Sequence, residues 1–194
     1  MLFRSRPKHG FALLLRSDVP EGKGVSSSAA IEVATMQALC GLYGFAVTGR
    51  ELALLCQKVE NEVAGAPCGV MDQMTAACGQ KNELLALRCQ PCELEGTIAV
   101  PEPIEFVGID SGVRHAVSGS DYGSVRAGTF VGARILAELR GLSLRREGDL
   151  VVAEDPAWRG YLANCDVDEW RTQWAAQLPE SIAGADFLAR YGGH

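Results

Sequence analysis

Basic clusters are missing from this sequence. No run of Lys and Arg exceeds the pair Arg145-Arg146, and the net charge is −6. A phosphate-backbone partner calls for a clustered basic surface, so nucleic acid is excluded as the main partner. Long apolar runs are missing as well: no segment nears the roughly 20 apolar residues that span a bilayer. No apolar stretch follows the charged start Met1 to His9 in the manner of a signal peptide. The expectation is a cytoplasmic protein with no membrane partner. Histidine is scarce, with only His9, His115 and His194, and Cys89 and Cys92 form a lone C-x-x-C. Zinc therefore lacks a second ligand pair. The seven cysteines are odd in number and several lie in apolar runs, which reads as reduced thiols used as small hydrophobes. Internal repeats and low-complexity tracts are absent.

What is present suffices for a real core. The chain has 194 residues, of which 47% are hydrophobic, enough for one large domain or two small ones. Phe11 to Leu15 is a short apolar run and reads as a strand. Ser28 to Leu42 reads as a helix, with Ile31, Ala34, Ala38 and Leu42 at helical spacing and Gly41 and Gly44 marking its end. Thr48 and Glu51 form a capping-box pattern before a helix that carries Leu52, Leu55 and Val59 and runs to about Asn61. After the turn Gly65 to Gly69, a short helix is expected over Val70 to Ala77, closed by Gly79. Glu83 to Arg88 and Ile104 to Asp110 read as strands, with Pro101 to Pro103 as the candidate domain boundary. Asp121 to Arg140 reads as a helix capped by Ser120 or Asp121 and stopped by Gly141. The tail is expected to start a helix near Pro156 and to end in a short one, Phe187 to Tyr191. Trp170 and Trp174, at helical spacing, read as core rather than as ligand platforms.

Three segments carry chemistry. In Val19 to Ala30, glycines allow a sharp turn and close approach to a ligand. Ser26, Ser27 and Ser28 then lead into a helix start, which favours anions. The segment fits neither a Walker loop nor a dinucleotide fingerprint. Phosphate binding and a plain loop with a serine N-cap are both open. The second segment holds two acids. Glu60 by itself reads as part of a solvated helix face. Asp72 follows a turn of Gly65, Pro67 and Gly69 among apolar residues, and is either a structural acid or a catalytic one. The third runs from Ile109 through Asp110 to His115 and on to Ser120-Asp121-Tyr122, and by itself is a strand, loop and capped helix.

In combination these segments resemble the GHMP kinases, the family of galactokinase and of homoserine, mevalonate and phosphomevalonate kinases. Val19 to Ala30 resembles the second family motif, and Ser-Ser-Ser-Ala is its galactokinase-like form. Cys56 to Glu60 with Gly65 to Gln73 resembles the galactokinase acid motif. Asp110-Ser111-Gly112 and Asp121 to Arg126 look closer to the plant arabinokinase branch. The resemblance implies an α+β fold in two parts: residues 1–101 with the phosphate loop and both acids, and an incomplete 102–194. It implies ATP phosphates held by Gly22, Gly24, Ser26, Ser27 and Ser28, and Mg2+ held by Ser28 and Glu60. It makes Asp72 the catalytic acid, and places a monosaccharide against Gly69, Asp72 and Tyr122. The implied reaction is phosphorylation of the anomeric hydroxyl, with L-arabinose first and galactose as the alternative; a non-catalytic sugar- or ATP-sensing relative is a further reading. The family's early sugar-binding motif and its late Gly-rich motif are not found here. The expectation is a central fragment that is not an active kinase by itself. The sequence assigns no oligomeric state.

Overall fold

The computed structural model describes residues 9–113, 120–148 and 150–193, with the backbone alone described at 120–122. The chain divides into two compact units, Met1–Ser118 and Gly119–His194.

The first unit is built on three helices, α1 (Ser27–Tyr43), α2 (Gly49–Glu62) and α3 (Met71–Cys78). Helix α1 runs through Gly41 and stops at Gly44, whose left-handed φ of 70° lets its N–H reach back to the Cys40 carbonyl. Helix α2 opens on the expected capping box: the Thr48 hydroxyl accepts from the Glu51 N–H, while the Glu51 carboxylate accepts from the Thr48 N–H at 2.8 Å. Those hydrogen bonds, backbone first, hold the Glu51 carboxyl below its usual range. The helices meet through two small clusters. Val33, Leu52 and Cys56 form one, and Ala53, Val70, Met74 and Cys92 form the other. A Cβ on Gly49 would lie 2.7 Å from Cys78 Sγ, so the bare glycine lets α2 approach the end of α3. Strands β1 (Glu83–Arg88) and β2 (Glu93–Ala99) form an antiparallel hairpin against this core. Its turn is tied to α2 by Arg50, whose Nε donates to the Cys92 carbonyl at 2.7 Å. The C-x-x-C is split by this turn, with Cys92 buried and Cys89 exposed.

Two expected strands of this unit do not pair. Neither Phe11 to Leu15 nor Ile104 to Asp110 joins a ladder with any described residue. Their apolar side chains stay exposed, Leu14 at 96%, Phe106 at 72% and Ile109 at 90%. A strand satisfies its backbone only through a neighbour, and hydrophobicity alone does not supply one.

In the second unit α4 (Ser120–Leu139) ends at Gly141 as expected. The cap expected at Ser120 or Asp121 lies outside the described side chains. Strands β3 (Leu144–Glu147) and β4 (Leu150–Ala153) pair antiparallel. Ile135 of α4 packs with Phe187 and Tyr191 of the last helix, Gly184–Tyr191. No helix starts at Pro156. Asp155 instead accepts from the Trp158 N–H, and left-handed Arg159 and Gly160 break the turn. A bidentate Arg140–Asp155 pair at 2.8 and 2.9 Å is buried there under Trp158. Burial raises the Asp155 carboxyl, but the hydrogen bonds from Arg140 and the Trp158 N–H outweigh it and leave it low. The core is Trp158. Trp170 is exposed and Trp174 half-buried, because residues 167–177 wind through short, wide and tight turns rather than one amphipathic helix. Among the described residues no helix is long and apolar enough to cross a membrane.

Candidate active site

The loop Val19 to Ser26 turns on left-handed Gly22 (φ 69°) and Gly24 (φ 72°) and enters α1 through Ser26, itself left-handed at φ 61°. That conformation is costly for a residue with a Cβ and gathers at functional sites. Ser26 makes no side-chain cap, and no acid stands in the first turn of α1. The positive end of the helix is therefore left without a built-in anion. Lys23 leans away to Asp110, Nζ to Oδ2 2.7 Å. This contact, with the Gly112 N–H, holds the exposed Asp110 carboxyl low.

Opposite the loop, the α2–α3 connection is stitched back onto α2. The Cys68 N–H donates to Asn61 Oδ1 at 2.7 Å, the Ala66 N–H to the Glu60 carbonyl, and Gln57 Nε2 to the Cys68 carbonyl. The result brings Cys68 beside Glu60 and starts α3 with Asp72 in its first turn.

These pieces converge. One cavity of about 200 Å³ is lined by Gly22, Gly24, Ser26, Ser27, Ser28, Glu60, Cys68 and Asp72. Every residue singled out for phosphate, metal and catalysis borders it. Glu60 is buried rather than on the solvated face that its helix position alone suggests. Its carboxylate accepts from Cys68 Sγ at 3.3 Å and from Gln73 Nε2, both on Oε2. Burial, with the hydrogen bond to Glu60 second, pushes the Cys68 thiol up to about 11, so it stands as a neutral donor. Asp72 is half-buried, and no hydrogen bond or ion pair to a described residue engages its carboxylate. Gly69 is exposed and does not line the cavity. Tyr122 belongs to the other unit, and its side chain lies outside the described residues.

Residues 1–80 match the model of the GHMP kinases N terminal domain. An L-arabinokinase of Arabidopsis thaliana is 44% identical over 205 residues, covering 97% of this chain and 20% of that protein. Galactokinases of Chloroflexus aggregans and Chloroflexus aurantiacus are 42% and 35% identical, each over 97% of this chain and 48% of their own length. The chain thus spans less than half the length of these curated relatives. No solved structure matches it.

Beside the residues that the sequence singled out stand three that it did not. Glu32 lies one helical turn beyond Ser28 on α1. Burial, with the Glu60 charge second, raises its carboxyl to about 6. Gln73 is fully buried next to Asp72. Cys68 lines the cavity. The four-residue step from Ser28 to Glu32 was a visible signal of a shared helix face. Nothing local marks Gln73 or Cys68.

The oxygen donors fit a hard cation. Ser28 and Glu60 border the same cavity, and both described hydrogen bonds to Glu60 fall on Oε2, leaving Oε1 unengaged by them. Two protein oxygens suit Mg2+, which keeps waters and substrate phosphates in its remaining positions.

Proposed function

We propose that this chain supplies the phosphate-loop and acid portion of an ATP-dependent sugar 1-kinase. L-arabinose is the first candidate substrate and galactose the second. One observation carries the reading: the Gly/Ser loop, the open end of α1, Glu60 and Asp72 border a single cavity. The similarity to an L-arabinokinase and to galactokinases supports the choice of sugars. The boundary near Pro101 between the two portions of the family fold belongs to the same proposal.

Backbone N–H groups of the loop and of the α1 start, with the hydroxyls of Ser26, Ser27 and Ser28, would cradle the ATP phosphates. Mg2+, held by Ser28 and Glu60, would neutralise charge on the phosphates as the γ-phosphoryl moves. Asp72, across the cavity, would orient the anomeric hydroxyl and take its proton as the new P–O bond forms and the bond to the β-phosphate oxygen breaks. The resemblance names Gly69 and Tyr122 as further candidates for sugar contact. A loose transition state asks for positioning more than for strong base chemistry, which a carboxylate in a helix first turn can supply.

Isothermal titration of ADP and Mg2+ into the chain tests the cradle. The expected result is weak nucleotide binding that tightens with Mg2+. Absence of binding both here and in a protein lengthened to its relatives overturns the reading.

A further inference from the structure

One side chain near the site has no assigned task. Gln73 of α3 is fully buried, and its Nε2 faces acceptors from three directions: Glu60 Oε2 on α2, Glu32 Oε2 on α1 at 3.4 Å, and Cys68 Sγ at 3.7 Å. Only an amide nitrogen satisfies that set, which decides its orientation. Its Oε1 is buried without a partner among the described residues. A residue kept merely to fill the core would be apolar here, since an unpaired buried carbonyl is a net cost.

We propose that Gln73 is a positioning residue which fastens the Glu60 carboxylate at the cavity wall, with Glu32 as the second point of the clamp. It rests on the reading of the cavity as a Mg2+–nucleotide site. By drawing both acids to one amide, α3 ties the carboxylates of α1 and α2 together before any ligand arrives. Both donors on Glu60 act on Oε2, so Oε1 is held out for a cation rather than searching among rotamers. Asp72 and Gln73 are neighbours in α3, so the helix that presents the catalytic acid also sets the metal-facing one.

The test reads metal dependence rather than turnover. ADP affinity of the chain is measured with and without Mg2+, and Mn2+–ADP binding is followed by electron paramagnetic resonance. Gln73→Met keeps shape and removes the donor. It is expected to cut the Mg2+ enhancement of ADP binding by about tenfold or more, while Mg2+-free affinity moves less than about twofold. In a Glu60→Gln background the same substitution is expected to add nothing, because its effect passes through Glu60. An enhancement that survives Gln73→Met, or an equal loss in both backgrounds, overturns the proposal. A second measurement covers a Gln73→Met that does not fold: in the wild-type chain the Gln73 side-chain amide resonances should move on adding Mg2+ with ADP, and Glu60→Gln should abolish that movement. Resonances that stay still overturn it equally. A wild-type chain whose ADP binding ignores Mg2+ overturns the reading of the site and this inference together, whereas loss of the Gln73 effect alone leaves the site reading standing.

Discussion

Two stretches of the first unit, both read as functional from sequence, end up in different condition. Residues 19–78 carry their chemistry on helices that pack on one another, and Glu60, Asp72 and the serines reach a common cavity. Residues 104–113 carry theirs on chain without a ladder, with Ile104, Phe106, Val107 and Ile109 all exposed. The difference is one of backbone accounting. A helix satisfies its own N–H and C=O groups, so three of them need only an apolar interface to hold a site. A strand needs neighbours for every hydrogen bond, and among the described residues these have none.

The sharpest challenge to this contrast is chain length. The 194-residue chain is expected to show no sugar-dependent ADP release in a coupled assay with L-arabinose or galactose, while a protein lengthened to its relatives shows it. Near-equal rates would mean that the unpaired segments matter little, or that a second copy completes them.

Next comes the helical core itself. Met74 has no exposed surface, and Met74→Ala should cost about 3 kcal/mol, read as a lower urea midpoint. Phe106→Ser on the exposed stretch should leave that midpoint in place, and an equal loss would erase the distinction between the two regions.

Asp72→Asn in the lengthened protein should reduce turnover at least about a hundredfold, with circular dichroism unchanged. Wild-type turnover removes Asp72 from the chemistry. Glu60→Gln should raise the Mg2+ requirement for nucleotide use by about tenfold or more and alter the binding of sugar alone far less. Calorimetry that finds the same Mg2+ dependence would return Glu60 to a structural role.

The smallest effect is a pH slope. The Glu32 carboxyl is raised from 4.5 to about 6, mainly by burial and then by the charge of Glu60. The folded state therefore binds the extra proton between those values. Its stabilising contribution is complete below about 4.5 and lost as pH rises through about 6. Because the group is half-exposed the change should stay under about 1 kcal/mol. Glu32→Gln should flatten the thermal-unfolding profile across that window, and an unchanged slope would assign it to other groups.

Much of the helical half was legible because its signals are local. The Thr48–Glu51 box, the helix α4 and its stop at Gly141 follow from residues three to twenty positions apart. The β1–β2 and β3–β4 hairpins were only half legible or missed, since Glu93 to Ala99 and Leu144 to Ala153 become strands by meeting a partner. Trp170 and Trp174 misled for the converse reason. Helical spacing promises a face only if the helix stays regular, and residues 167–177 do not.

By itself the sequence determined the parts: a Gly/Ser loop entering a helix, an acid before a turn, an acid after it, and the family model that residues 1–80 match. It determined them because turn chemistry, caps and motif order are written over short distances. Tertiary structure alone decided that Glu60 is buried at the cavity rather than solvated on a helix face. It also decided that Glu32 stands close enough to share an amide with Glu60, and that Gln73 is that amide. Those facts depend on how three helices cross, and the crossing is set by packing among Val33, Ala53, Cys56 and Met74. Residues 13 and 41 positions apart along the chain meet at that amide only when the apolar surface leaves water.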